Sequence, residues 1–93
     1  MIVPPDIKVF LATGTTDLRK SINALGALVE EGMELDPFSG YLFGFCNRRR
    51  DLIKLLYWDH NGFALWMKRL EKDRFDWPGA AEGVLDLTGR ELR

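Results

Sequence analysis

The apolar positions of the chain change period several times, and each change predicts an element. Ile7-Lys8-Val9-Phe10-Leu11 alternates and then runs apolar, which predicts a first strand once the chain has left the helix-disfavouring Pro4-Pro5. Thr13-Gly14-Thr15-Thr16 reads as a turn. From about Leu18 to Glu31 the period lengthens. Leu18, Ile22, Leu25, Leu28 and Val29 recur at spacings of three and four, the single apolar stripe of an amphipathic helix. Asp17 is placed to cap that helix, its carboxylate accepting from first-turn N–H groups, and Gly32 is placed to stop it. Arg19 and Lys20 would then sit at the positive end of the helix dipole and Glu30 and Glu31 at the negative end. Each such charge costs a few tenths to about 1 kcal/mol. Either the arrangement is an accident of small cost, or Arg19 and Lys20 serve an anion or an acidic partner.

Asp36-Pro37-Phe38-Ser39-Gly40 is dense in turn residues, and three apolar runs follow it: Tyr41 to Cys46, Leu52 to Trp58 and Phe63 to Leu70. Asn47 to Asp51 separates the first two, and Asp59-His60-Asn61-Gly62 the last two. Asn-Gly is the strongest short hairpin signal, because both residues tolerate positive φ. The third run also fits a helical period through Phe63, Trp66, Met67 and Leu70, but the turn and the β-prone second run favour a strand. The prediction is a three-stranded antiparallel meander. With Asn61-Gly62 as a two-residue loop, His60 faces Phe63, Trp58 faces Leu65, Leu56 faces Met67 and Lys54 faces Arg69. Beyond it, Phe75 and Trp77 precede a stop at Pro78-Gly79, and Val84-Leu85-Asp86-Leu87 is a short last strand. Thr88 followed three positions later by Glu91 is the capping-box arrangement of a helix start. A helix that short is not stable alone, so the natural protein is expected to continue or this end to fray. The fold class expected is α+β: one domain over 1–93, an antiparallel three- to five-stranded meander sheet packed against one main helix, with a short C-terminal helix start.

Composition is that of a globular domain, 46% hydrophobic and 29% charged. The single Cys46 makes no internal disulfide, which suits a reducing compartment, and no zinc or redox spacing is present. The N-terminal segment has no basic stretch leading into a long apolar one, so neither a signal peptide nor a membrane anchor is expected and the cytoplasm is the expected location. A net charge of −1 hides an asymmetry. Arg48 to Arg74 holds eight basic against four acidic residues, and the remainder five basic against ten acidic. A strand that leaves the arginine turn and returns after Asn61-Gly62 brings residues near 70 beside residues near 50. Arg48, Arg49, Arg50, Arg69, Lys72 and Arg74 would then form one patch suited to phosphate groups; ordinary solvated surface is the alternative. Phe75 and Trp77 lie near enough in sequence to stack on a base, but core packing is the favoured role for both.

Candidate chemistry is sparse. His60 sits in a tight turn and reads as solvated. Cys46 lies beside arginines that can lower a thiol pKa, but a buried inert thiol fits better. There is no nucleophile elbow, phosphate-binding glycine loop or cluster of metal ligands, and Asp36, Asp51 and Asp59 fall in separate turns. No catalytic residue, metal or cofactor is expected.

Three stretches resemble one family. Thr15-Thr16-Asp17-Leu18-Arg19-Lys20-Ser21 resembles its TDMRK-type entry into the first helix, and Asp36-Pro37-Phe38-Ser39-Gly40-Tyr41-Leu42-Phe43 resembles its DPFSGxLF segment. Cys46 to Asp51, with Lys54, Tyr57-Trp58-Asp59, Asn61-Gly62-Phe63, Lys68 to Glu71 and Arg74 to Pro78, resembles its long core signature. The family is the accessory protein called TnpB, carried by insertion sequences of the sixty-six group beside their transposase; it is not the RNA-guided nuclease of that name. Leu87-Thr88 with Arg90-Glu91-Leu92 resembles the closing helix, although the chain stops earlier than expected of a member. The resemblance implies a non-enzymatic role in transposition. Two partners are open: DNA, met through the basic patch, or the transposase or another element-encoded protein, met without DNA.

Overall fold

The computed structural model describes residues 4–80 and 83–92. The first three residues of the N-terminal segment discussed above lie outside it. Five strands form one sheet in the order β4-β3-β2-β1-β5. They are β1 (Lys8–Ala12), β2 (Leu42–Cys46), β3 (Leu52–Asp59), β4 (Gly62–Arg69) and β5 (Val84–Thr88). Helix α1 (Ile22–Ala27) connects β1 to β2 and widens into a π-helical turn over Leu28–Gly32; α2 (Gly89–Leu92) follows β5 directly. No described helix is long and apolar enough to cross a membrane.

The sheet is mixed rather than antiparallel throughout. β2, β3 and β4 form the expected meander, and β5 pairs antiparallel with β1, but β1 and β2 are parallel. The reason is the helix between them. A crossover through α1 carries the chain back to the end where β1 began, so β2 must run the same way as β1.

Helix α1 starts later than its apolar stripe suggests. Ser21, not Asp17, is the N-cap, its hydroxyl accepting from the Ala24 N–H at 3.2 Å. Asp17 instead closes a local turn by accepting from the Arg19 N–H at 3.0 Å. Such side-chain-to-backbone bonds compete with the helix, which is why Leu18 to Lys20 stay outside it. Arg19 and Lys20 therefore precede the helix instead of occupying its first turn, and Arg19 has the Asp17 carboxylate as a counter-charge. The helix is stopped not by a left-handed Gly32 but two residues further on, where Glu34 takes φ +57° and Leu35 N–H reaches back to the Val29 carbonyl at 3.0 Å.

The β3–β4 register also differs from expectation. Asp59 pairs with Gly62, Trp58 with Phe63, Leu56 with Leu65, Lys54 with Met67 and Leu52 with Arg69. The loop is thus His60-Asn61, with His60 at φ +60°, a conformation that His adopts more readily than most residues. This register sets Trp58 directly across from Phe63, with ring centroids 5.1 Å apart and edge to face, and Phe38 completes a triangle at 5.1 and 5.4 Å. A shift of two leaves every side chain on its original face, so the core assignment survives it.

Both faces of the sheet carry a core. On the helix side, Leu18, Leu25 and Val29 pack on Phe43, Phe45 and Leu56. On the far side, Trp77 joins Val9, Leu11, Leu42, Cys46 and Ile53, with Phe75 packed against them. β2 is the central strand and is buried at all five residues. Trp77 reaches it because position 44 is glycine. A Cβ there would lie 2.6 Å from Leu11 Cδ2, 3.2 Å from Leu55 Cδ2 and 3.3 Å from the Trp77 ring. The indole N–H donates to the Ala12 carbonyl at 3.0 Å. The favoured core role for Phe75 and Trp77 is the one they take. At the other end of the chain, Thr88 and Glu91 form the expected capping box: the Thr88 N–H donates to Glu91 Oε1 at 3.1 Å, and the Glu91 N–H to Thr88 Oγ1 at 3.4 Å.

Gly44→Ala should cost roughly 1–3 kcal/mol through overpacking, while Gly62→Ala, where an added Cβ meets nothing within 4 Å, should stay within about 0.5 kcal/mol. Urea unfolding midpoints of the two variants test the difference.

Candidate nucleic-acid interface

The returning hairpin gathers the separated basic segments at one end of the sheet. Leu52 pairs with Arg69, the Leu70 N–H donates to the Asp51 carbonyl at 2.8 Å, and the Phe75 N–H donates to the Arg50 carbonyl at 2.7 Å. Backbone bonds thus tie the arginine turn to the segment that carries Arg69, Lys72 and Arg74. Arg48, Arg49, Arg50, Arg69, Lys72 and Arg74 are all exposed.

Asn47 makes this turn rigid. Its side-chain oxygen accepts from the Asp51 N–H at 3.1 Å and the Leu52 N–H at 3.0 Å, while its Nδ2 donates to Asp51 Oδ1 at 2.7 Å. Its backbone closes the same turn from both sides, donating to the Leu52 carbonyl and accepting from the Arg50 N–H. Arg50 sits at φ +60°, a strained conformation that the clamp holds in place. The bond from Asn47, with the charges of Arg49 and Arg74, keeps the Asp51 carboxyl below its usual pKa.

On the helix face of the sheet, α1 does not extend over the ends of β3 and β4 that meet the arginine turn. A groove of about 760 Å³ opens there, between the loop Thr15–Arg19 and the arginine turn. Arg19, Arg48, Arg49, Lys54 and Arg69 line it, with Leu52 and Met67 as apolar floor and Asp17 as the one carboxylate. Two bonds fix the loop wall: Thr16 N–H to the Cys46 carbonyl at 2.8 Å, and Lys54 Nζ to the Leu18 carbonyl at 2.6 Å. Asp17 and Arg19 form a bidentate pair, Nε to Oδ1 at 2.9 Å and Nη2 to Oδ2 at 2.8 Å. That pairing holds the Asp17 carboxyl well below the usual carboxylate range. Arg49 lies 3.9 Å from Asp51, a loose pair that leaves the Arg49 side chain 76% exposed.

The structure therefore divides the six expected patch residues. Arg48, Arg49 and Arg69 line the groove; Arg50, Lys72 and Arg74 share that end of the molecule but do not line it. Arg19 joins the groove and Lys20 does not. Asn47, Lys54 and Met67 are contributors that composition and spacing did not single out. The signal for Asn47 lies in its position, opening a five-residue turn that closes on Asp51, where an Asn side chain can bond the backbone ahead of it.

The residues weighed for catalysis stand apart. His60 is exposed at the far hairpin. Cys46 is buried, and burial pushes its thiol up to about 11 against the opposing charge of Arg50, so it stays protonated. No group of three or more metal-ligating side chains comes together among the described residues.

The sequence matches the family model described as "IS66 Orf2 like protein" over residues 7–93. Two relatives from Sinorhizobium fredii (strain NBRC 101917 / NGR234) are described as uncharacterized proteins. The first, y4hO, is 37% identical over 87 residues, covering 94% of this chain and 76% of the relative. The second, y4jC, is 34% identical over 86 residues, covering 92% and 74%. No solved structure matches the chain.

Asn47→Ala should destabilise the fold by roughly 1–3 kcal/mol, because it leaves backbone donors of the turn without a partner, whereas Arg48→Ala, an exposed side chain, should change stability by no more than about 0.5 kcal/mol; thermal unfolding reads both. The depressed Asp17 pKa means that the pair's contribution is present above the unfolded carboxylate value and is lost as pH falls through the folded one. An NMR titration should find the Asp17 midpoint below that of an ordinary Asp, rising toward about 3.9 in Arg19→Ala.

Proposed function

Because the chain belongs to the IS66 Orf2-like family, and is therefore an insertion-sequence-associated accessory protein, we propose that it acts in transposition without chemistry of its own, contacting DNA through its basic end. The observation that supports this most directly is the convergence of Arg48, Arg49 and Arg50 with Arg69, Lys72 and Arg74 through backbone pairing of the two segments. The scaffold beneath them is fixed by strands and by Asn47, while the cationic heads stay in solvent. Phosphate contact requires that combination, since guanidinium forks bind phosphate oxygens without sequence preference. The proposed setting is the cytoplasm, with the element's own transposase as working partner.

A second reading has one specific observation in its favour. At the end of β3 and β4 opposite the arginine turn, Phe38 is 54% exposed and packs on Trp58 and Phe63. Exposed aromatics on a rigid base are common protein-contact anchors. In that reading the chain docks on the transposase and the arginines meet acidic protein surface rather than DNA.

Gel shifts with element-end DNA should show a complex at low salt whose affinity falls steeply as salt rises, with a slope of about −0.9 for each phosphate neutralised on duplex or about −0.7 on a single strand. Changing Arg48, Arg49 and Arg50 together to Ala should abolish most of it. A transposase pull-down that survives nuclease treatment, with no DNA complex at any salt, would favour docking instead.

A further inference from the structure

We propose that the groove between the Thr15–Arg19 loop and the arginine turn is a site for single-stranded DNA, with its phosphates on Arg48, Arg49 and Arg69 and a base face on the Met67–Leu52 floor. This rests on the DNA-contacting role proposed above and specifies the form of DNA.

Shape is the first ground. The site is concave and about 760 Å³ in volume, within the roughly 300–1,000 Å³ typical of sites that enclose a small organic molecule. A duplex presents its phosphates on a convex surface and keeps its base faces stacked inside, so it offers nothing to an apolar floor. A single strand can turn a base face inward while its backbone follows the cationic rim.

The floor is the second ground. Met67 is 60% exposed on the edge strand β4, close to the end that meets the arginine turn. Its row of the ladder pairs it with Lys54, and Arg69 follows two residues on along the same face. Leu56 and Leu65, on the next row of that face, pack in the helix-side core. The polarizable thioether thus lies where α1 stops covering the sheet, beside Lys54 and Arg69, so that the sulfur can meet the ring of a base while the cations meet its phosphates.

Asp17 is the third ground. It places one carboxylate inside the groove and occupies the fork of Arg19 at 2.8 and 2.9 Å. A phosphate entering beside Arg19 competes with that carboxylate. Asp17 is accordingly a brake on affinity, and neutralising it frees a fourth arginine for the strand.

Fluorescence anisotropy of the full chain with a short labelled oligothymidine, and with a duplex of equal length, tests the proposal. The single strand should bind several-fold, up to about tenfold, tighter than the duplex, as one sulfur–base contact allows. Met67→Glu should remove most of that preference. The paired change Arg48→Ala with Arg49→Ala, on an exposed turn, gives the same information should the first variant fold poorly by circular dichroism. Asp17→Asn should tighten single-strand binding several-fold, and Lys8→Ala, at the opposite end of the sheet, should leave it within about twofold. Equal or tighter duplex binding, or an unchanged preference in the groove variants, would overturn the groove proposal while leaving the DNA-contacting role standing. Binding of polyglutamate with no binding of either DNA would overturn both.

Discussion

Trp77 reaches the sheet only because position 44 carries no side chain, and much of the molecule depends on that contact. The helix covers one face of the sheet, so the other needs a separate cover. The segment after β4 supplies it by laying Trp77 over Gly44 and anchoring the indole N–H on Ala12. Removing a buried Trp from a core costs on the order of 3–5 kcal/mol, a large share of the stability of a small domain. The same contact fixes the path from Leu70 to Pro78. That path takes Phe75 past Arg50, and so holds the basic residues around position 70 against the arginine turn.

Rigidity and exposure are divided between different residues at that end. Backbone pairs, the Asn47 clamp and the Lys54 tie to the Leu18 carbonyl use groups that are at least half-buried. The arginine side chains contribute almost nothing to the scaffold. Their loosest and tightest pairings, Arg49 with the part-buried Asp51 and Arg19 with Asp17, each leave the arginine side chain in solvent, where an ion pair adds little stability. A surface whose charges are not needed for folding is free to be used for binding.

The mixed sheet has a consequence for the site as well. Because α1 is the crossover between two parallel strands, it lies over β1 and β2 and over the part of β3 nearest Leu56. The outer ends of β3 and β4 are left without a helix. In an all-antiparallel meander there would be no such crossover to form one wall of a groove and no reason for the Thr15–Arg19 loop to face the arginine turn.

The sequence alone determined the elements and the faces. Periodicity, the Asp59–Gly62 turn, the Thr88–Glu91 capping box and the signature residues from Thr15 to Pro78 act over a few positions. Local signals therefore identified the strands, the main helix, the family and the return of residue 70 to residue 50. Tertiary structure decided what local signals leave open. Aromatic contact between Trp58, Phe63 and Phe38 chose the hairpin register over the one that Asn61-Gly62 favoured by itself. The crossover made β1 parallel to β2, and an Asp17–Arg19 turn moved the cap to Ser21. The groove belongs to this second class. Its walls come from segments some thirty residues apart in sequence, brought together by Lys54 and Thr16, and no short-range pattern records a contact whose energy is realised only when the sheet has closed.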